Sequence, residues 1–159
     1  MTDYGVGGAD WQALAWEWAA ERLARTRNYW VTTVGPEGQP HSMPVWGVWN
    51  GDDQRFMFSC SPNARKARDL VTNPRLTFTT DDTVECVSVQ GTALLVADDA
   101  VLDAWIERYV VKYGEEGGEG MAEFVASHAC FEVTPSVAFA IIERADEFAS
   151  RATRWRFDG

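Results

Sequence analysis

The chain has 159 residues, 46% of them hydrophobic and 24% charged. That is the make-up of one globular domain, able to bury roughly 68–70% of its unfolded surface without a disulfide or a metal. Its formal net charge of −10 excludes nucleic acid and anionic membranes as general partners. No run reaches the roughly 18 apolar residues of a membrane span.

The acidic, glycine-rich start (residues 1–10) has no basic or apolar stretch of the kind a secretory signal needs. Asp10 is placed to cap a helix over residues 11–25. Its two apolar stripes, Trp11, Leu14, Ala15, Trp18 and Trp16, Ala19, Ala20, Leu23, call for cover on both sides, with a partner subunit as one candidate. Strands are expected over residues 29–34, 39–49 and 55–60, separated by the turn signals Gly35-Pro36-Glu37-Gly38 and Asn50-Gly51. Ser61 suits an N-cap and Pro62 a first helical position, so a short helix should run from there to Asn73, where Pro74 stops it. Strands follow over residues 75–80 and 84–96.

Asp98 or Asp99 caps the next helix, in which Leu102, Trp105, Ile106, Tyr109 and Tyr113 keep helical spacing. Gly114 is its expected end, and residues 114–120 (GEEGGEG) are expected to form a mobile surface loop. Residues 130–134 and 137–142 read as two strands around Pro135-Ser136. The tail, 143–159, has weak periodicity and ends in Arg154-Trp155-Arg156-Phe157. About seven strands and three helices, without βαβ alternation, predict one domain built as a closed or split antiparallel barrel.

Charge is unevenly spread. Residues 65–75 carry Arg65, Lys66, Arg68 and Arg75 against Asp69, a balance of +3; residues 150–157 carry Arg151, Arg154 and Arg156, again +3; the rest holds −16. Two basic islands on an acidic body suit specific anions. Cys60, Cys86 and Cys130 lie in apolar runs without a CxxC pair and read as reduced core residues of a cytoplasmic protein. With His128 they lack zinc-ligand spacing.

Three segments bear on chemistry. In Ser61-Pro62-Asn63-Ala64-Arg65-Lys66, the free amides and dipole of a helix start, worth about 0.3–1 kcal/mol per charge, join two cations that suit a phosphate. The competing reading is a solvated basic face with Arg65 paired to Asp69. In the strand Pro40 to Trp49, Pro44 interrupts regular pairing and Gly47 admits a close approach, which leaves main-chain groups able to meet the rim of a planar ring; an ordinary edge strand is the alternative. His41 and Ser42 point to opposite faces and cannot act as a nucleophile–base pair. The tail could fold over a cofactor through Trp155 and Arg154, or pack as a C-terminal strand.

Taken in order, Trp30-Val31-Thr32-Thr33-Val34, Gly38-Gln39-Pro40-His41, Pro44-Val45-Trp46-Gly47-Val48-Trp49, Ala64-Arg65-Lys66-Ala67-Arg68-Asp69-Leu70 with Asn73-Pro74-Arg75, Val87-Ser88-Val89-Gln90-Gly91 and Ala152 to Phe157 resemble the pyridoxamine 5′-phosphate oxidase-like split-barrel superfamily, whose members use FMN or the deazaflavin coenzyme F-420. The resemblance implies a mainly β, six- to seven-stranded antiparallel split barrel with flanking helices. It also implies a homodimer with cofactor sites at the interface, and hydride transfer to or from a small organic substrate. It assigns the cofactor to Met43, Pro44, Val45, Trp46, Ser59, Ser61, Arg65 and Lys66, with Arg154 and Trp155 approaching the site of the other subunit; no catalytic side chain or metal is nominated. Residues 42–49 lack the basic side chains that classical FMN members use there, and Cys86 replaces a ring-contacting glutamine. These departures argue against pyridoxamine phosphate oxidase activity itself and favour F-420 over FMN. A non-catalytic cofactor-binding protein and a cofactor-free interaction module on the same barrel are the alternatives.

Overall fold

A computed structural model describes residues 9–157. Most of the glycine-rich start, including the segment read for a secretory signal, lies outside them. The elements are α1 (Trp16–Arg25), β1 (Asn28–Val34), β2 (Pro40–Asn50), β3 (Arg55–Cys60), α2 (Arg65–Thr72), β4 (Arg75–Thr80), β5 (Glu85–Leu95), α3 (Asp99–Gly117), α4 (Met121–Ala126), β6 (Ala129–Ile142) and β7 (Thr153–Arg156). All strand pairs are antiparallel, in the order β3-β2-β1-β4-β5-β6-β7, and β6 also pairs with β3. Six strands therefore close a barrel and β7 is an addition to it. Among the described residues no helix is long and apolar enough to cross a membrane.

The two-residue period decides what the barrel encloses. Tyr29 and Val31 of β1, Phe78 of β4, and Val87 and Val89 of β5 are fully buried. Phe56 stacks on Phe78 with centroids 4.1 Å apart. Each such side chain contributes roughly 1.5–3 kcal/mol on burial. Strand β3 is apolar without alternation because it is covered twice. Phe56 and Phe58 enter the barrel, while Met57 joins Val48, Trp105, Tyr109, Tyr113, Met121, Val125 and Cys130 beneath α3 and α4.

Several expectations need correction. Helix α1 begins at Trp16, with Ala15 and not Asp10 at its N-cap. The preceding residues are held by the tail: the Trp11 indole donates to Ala152 O (2.9 Å), Gln12 N to Ser150 O (2.7 Å) and Leu14 N to the Thr153 hydroxyl (2.8 Å). These long-range bonds take donors that a longer helix would have used. Residues 129–142 form one strand, not two. Pro135 faces Gly91 where the β5–β6 register shifts, and an irregularity of that kind accepts a proline. Gly91 itself has no room for a side chain, since a Cβ there would lie 2.5 Å from Thr134 O.

Of the two candidates, Asp98 caps α3, accepting from Val101 N at 3.0 Å. The helix continues past Gly114 to Gly117 and ends where Gly118 takes a φ of 71°. The expected loop is thus partly helical, and α4, absent from the sequence reading, follows it. The tail forms a strand, β7, against residues 137–140 of β6.

Candidate functional site

Strand β2 has two partners but not along its whole length. It pairs with β1 from Pro40 to Trp46 and with β3 only from Gly47 to Asn50. Beyond the Gly47–Phe58 pair the two strands part. Residues 40–46 then form one lip of a notch, and Ser59, Cys60 and the turn into α2 form the other. Main-chain groups in an antiparallel strand alternate sides, so Ser42 and Pro44 turn the same way as Trp46, toward the notch. The amide hydrogen that Pro44 lacks is one the ladder does not need.

Helix α3 completes the ladder where the strands fail to. The Tyr109 hydroxyl donates to Trp46 O at 2.6 Å and also meets Ser59. The Tyr113 hydroxyl accepts from Gly47 N (3.0 Å) and lies 2.6 Å from Arg27 O and 2.7 Å from Gly47 O. The Tyr113 ring stacks on Trp46 at 4.8 Å and 2°. Burial raises the Tyr109 phenol well above its ordinary range and the Tyr113 phenol to about 12. Both stay protonated and act as hydrogen-bond groups. The sequence reading placed these tyrosines only on an apolar stripe. The signal for more was the phenol itself, since a buried tyrosine hydroxyl needs a partner.

On the far lip, Ser61 does not cap a helix. Its hydroxyl accepts from Asn63 N (3.3 Å) and its carbonyl from Ala64 N (2.9 Å). A local turn of this kind competes with helix geometry, and α2 starts three residues later, with Ala64 at its N-cap and no side-chain cap. Arg65 and Lys66 become its first two residues. The first bond between α2's residues and its cap is Arg68 N to Ala64 O (3.2 Å), so the amides of residues 65–67 precede it and favour an anion.

Arg65 and Lys66 diverge around the helix. Arg65 turns toward the β1–β2 hairpin, where with Gly35, Gln39, Arg68 and Thr72 it lines a cavity of about 570 Å³. Its Nε lies 3.9 Å from Asp69, and its side chain keeps 45% of its surface exposed. Asp69 is itself buried and accepts from the Thr33 hydroxyl at 2.8 Å. Lys66 lies on the side of Cys60; burial raises that thiol's pKa, and the lysine charge works against the rise.

Of the residues assigned from the sequence, Met43, Pro44, Val45 and Trp46 lie on β2, Ser59 on β3, Ser61 in the turn that follows it, and Arg65 and Lys66 at the start of α2. Met43 and Pro44 are exposed, Trp46 half-buried and Val45 buried. Arg154 and Trp155 lie elsewhere. Arg154 pairs with Phe139 of β6, nine residues beyond the Cys130 that faces Ser59. That separation is on the order of 25–30 Å along an extended strand. The Trp155 ring packs edge-on against Trp16 at 5.4 Å.

A family model for pyridoxamine 5′-phosphate oxidase matches residues 16–154, nearly the whole described chain. The chain belongs to the pyridoxamine 5′-phosphate oxidase family. No curated protein matches it. Among solved structures it is similar to a conserved hypothetical protein from Mycobacterium tuberculosis, with 19% identity and a TM-score of 0.69 over 82% of this chain and 85% of that one. It is also similar to the heme storage protein HutZ from Vibrio cholerae (21%, TM-score 0.63, 79% and 92%) and to an F420 reductase (21%, TM-score 0.56, 74% and 93%). At these identities the likeness establishes the fold that the family shares, in which catalysts and binding proteins occur side by side.

Proposed function

We propose that this family member binds FMN or F-420, with F-420 favoured, at the β2–β3 notch of a homodimer, and transfers hydride to or from a small organic substrate. The observation that carries the reading is the unpaired main-chain edge of β2 facing a basic helix start across the place where two strands part. The residues fit such a group. The Ser42 and Pro44 main chain would meet the polar rim of a flat ring, and Met43 and Trp46 would flank it. The Ser59 and Ser61 hydroxyls, the free amides of α2 and the Arg65 and Lys66 cations suit its phosphate. Because those two cations diverge, each would hold a different part of the anionic tail. Arg154 and Trp155 are too far along β6 to serve the notch of their own chain, so their role belongs to a second copy. That copy would dock on the outer face bearing Trp30, which is 47% exposed beside Pro44.

Hydride chemistry is supplied by the bound ring; the protein orients it and keeps water out. The phenol at the notch, Tyr109, is held protonated by burial and donates that proton to Trp46 O, which gives it a positioning part; the heme storage protein on the same fold favours a second reading, a carrier that binds without turnover.

Titrating the protein separately with FMN and F-420, followed by absorption, tests the reading. One of them should bind at micromolar concentration or tighter, and Arg65→Ala with Lys66→Ala should weaken it at least tenfold. Unchanged affinity in the double variant refutes the phosphate assignment. Turnover of the reduced cofactor with quinones, tetrapyrroles or unsaturated ketones separates enzyme from carrier. A haem titration, prompted by the heme storage protein on the same fold, completes the set; binding of haem alone overturns the flavin reading.

A further inference from the structure

A second feature lies behind Gly47, in a groove of about 630 Å³ between α1 and α3 lined by Ala24, Val48, Ala104, Glu107, Arg108, Val111 and Lys112. Its walls are mostly small and apolar, and its one amine is Lys112. The Lys112 ammonium has no carboxylate within ion-pair distance among the described residues. Its Nζ instead donates to the Tyr29 hydroxyl at 2.7 Å and to Gly47 O at 2.9 Å. The Tyr29 hydroxyl donates its own hydrogen bond to Leu23 O, so its oxygen is free to accept. The rings of Tyr29 and Tyr113 stand 4.7 and 5.3 Å from the nitrogen. Two of the directions around Nζ are thus fixed by neutral acceptors, and no other residue takes the remaining one.

From this geometry we propose that Lys112 is a nucleophilic amine that forms a reversible imine with small apolar aldehydes or ketones entering the α1–α3 groove. None of its lining residues belongs to the set proposed for the cofactor, and the inference stands apart from that reading. The neutral amine keeps two N–H bonds on Tyr29 and Gly47 and presents its lone pair in the third position. Nζ attacks the carbonyl carbon and the C–O π pair moves to oxygen, which takes up a proton. The carbinolamine hydroxyl then takes a second proton from solvent and leaves as water, while the nitrogen releases its two original protons to solvent, leaving a neutral C=N. No oxidant or reductant is consumed.

The charged and titratable neighbours do not prevent this. Tyr29 and Tyr113 are held in their neutral forms by burial. Glu107 and Arg108 share the groove wall with opposite signs. Asp81, the acid that acts on Lys112, favours the charged form but is outweighed by desolvation, which brings the ammonium down to about 8. A lysine desolvated in this way is an activated nucleophile.

The chain's composition makes the test clean, because Lys66 and Lys112 are its only lysines. The intact protein is treated with butanal and sodium cyanoborohydride over a range of pH, and the reduced adducts are located by peptide mass mapping. Lys112 should be alkylated at least tenfold faster than Lys66 near neutral pH, with a rate that levels off above about pH 8. Lys112→Arg, which retains donors for Tyr29 and Gly47, should lose the fast phase alone. Equal labelling of the two lysines, or a Lys112 rate still climbing beyond pH 10, overturns the proposal. Because the mapping is done on the unmodified sequence, the result holds even if the variant folds poorly.

Discussion

The Tyr109 hydroxyl reaches Trp46 O at 2.6 Å across the gap where β2 leaves β3. A helix side chain thus stands in for a strand where β2 and β3 part. Tyr109→Phe removes the donor and leaves a carbonyl facing the gap. The expected cost is about 1 kcal/mol, or ~2–4 °C in melting temperature for a chain of this size. Thermal unfolding followed by circular dichroism checks it, and an unshifted midpoint would mean that water replaces the phenol without loss.

Gly47 tolerates no side chain. A Cβ there would lie 2.4 Å from Phe56 Cζ and 2.9 Å from Met57 O, and Phe56 is fully enclosed. Gly47→Ala should therefore destabilise the barrel by about 2–4 kcal/mol, measured as a lower urea midpoint at unchanged slope. The same change should also disturb the groove at Lys112, whose amine bonds the Gly47 carbonyl.

Glu85 joins three parts of the chain. It accepts from Arg22 of α1 and from Arg144 beyond β6 (2.6 Å), with Arg25 at 3.6 Å. The side chains of Glu85 and Arg22 are only 17% and 12% exposed. These bonds hold the Glu85 carboxyl below its usual value of 4.5. A depressed carboxyl contributes stability that is complete above the unfolded value and is lost as pH falls through the folded one. The native chain should thus weaken below about pH 4.5. Glu85→Gln should cost about 2 kcal/mol at neutral pH, by leaving Arg22 covered without its anion, and should flatten the acid limb of a stability–pH curve. An unaltered acid limb would remove Glu85 from the account.

Trp16 is the hub of an aromatic cluster, with Trp49, Trp155 and Phe157 at 6.0, 5.4 and 5.0 Å. Trp16→Ala should cost about 3–5 kcal/mol and loosen α1 and the tail together. Hydrogen exchange should show residues 11–25 and 152–157 losing protection in step; independent loss would show that the two segments are not coupled through this ring.

What the sequence revealed and what it hid follow the range of the forces involved. Strands β1, β4 and β5 were legible because alternation and turn residues are local, and so was the Asp98 cap. Pro135 misled because its tolerance is set by Gly91 on another strand. Asp10 misled because its helix lost its first turn to bonds with residues 150–153, well over a hundred positions away. At the candidate site, the β2 edge and the basic start of α2 were visible as a misplaced proline and a charge island. The notch between them was not, since it depends on where the β2–β3 register ends. Tyr109 and Tyr113 were hidden for a related reason: on a helix they read as part of one buried stripe, from which Lys112 is absent, and only the barrel shows which main-chain groups the three side chains complete.

Strand β6 serves two neighbours along the same side, β3 for its first part and β7 for its second. The barrel is already shut without the latter. A chain cut before Thr153 would keep the six strands that close the barrel but bare four residues of β6 and remove the hydroxyl that Leu14 N bonds. Bare strand edges recruit other chains. Loss of β7 should consequently yield a folded protein that polymerises, so that this strand works as a guard rail against promiscuous sheet growth.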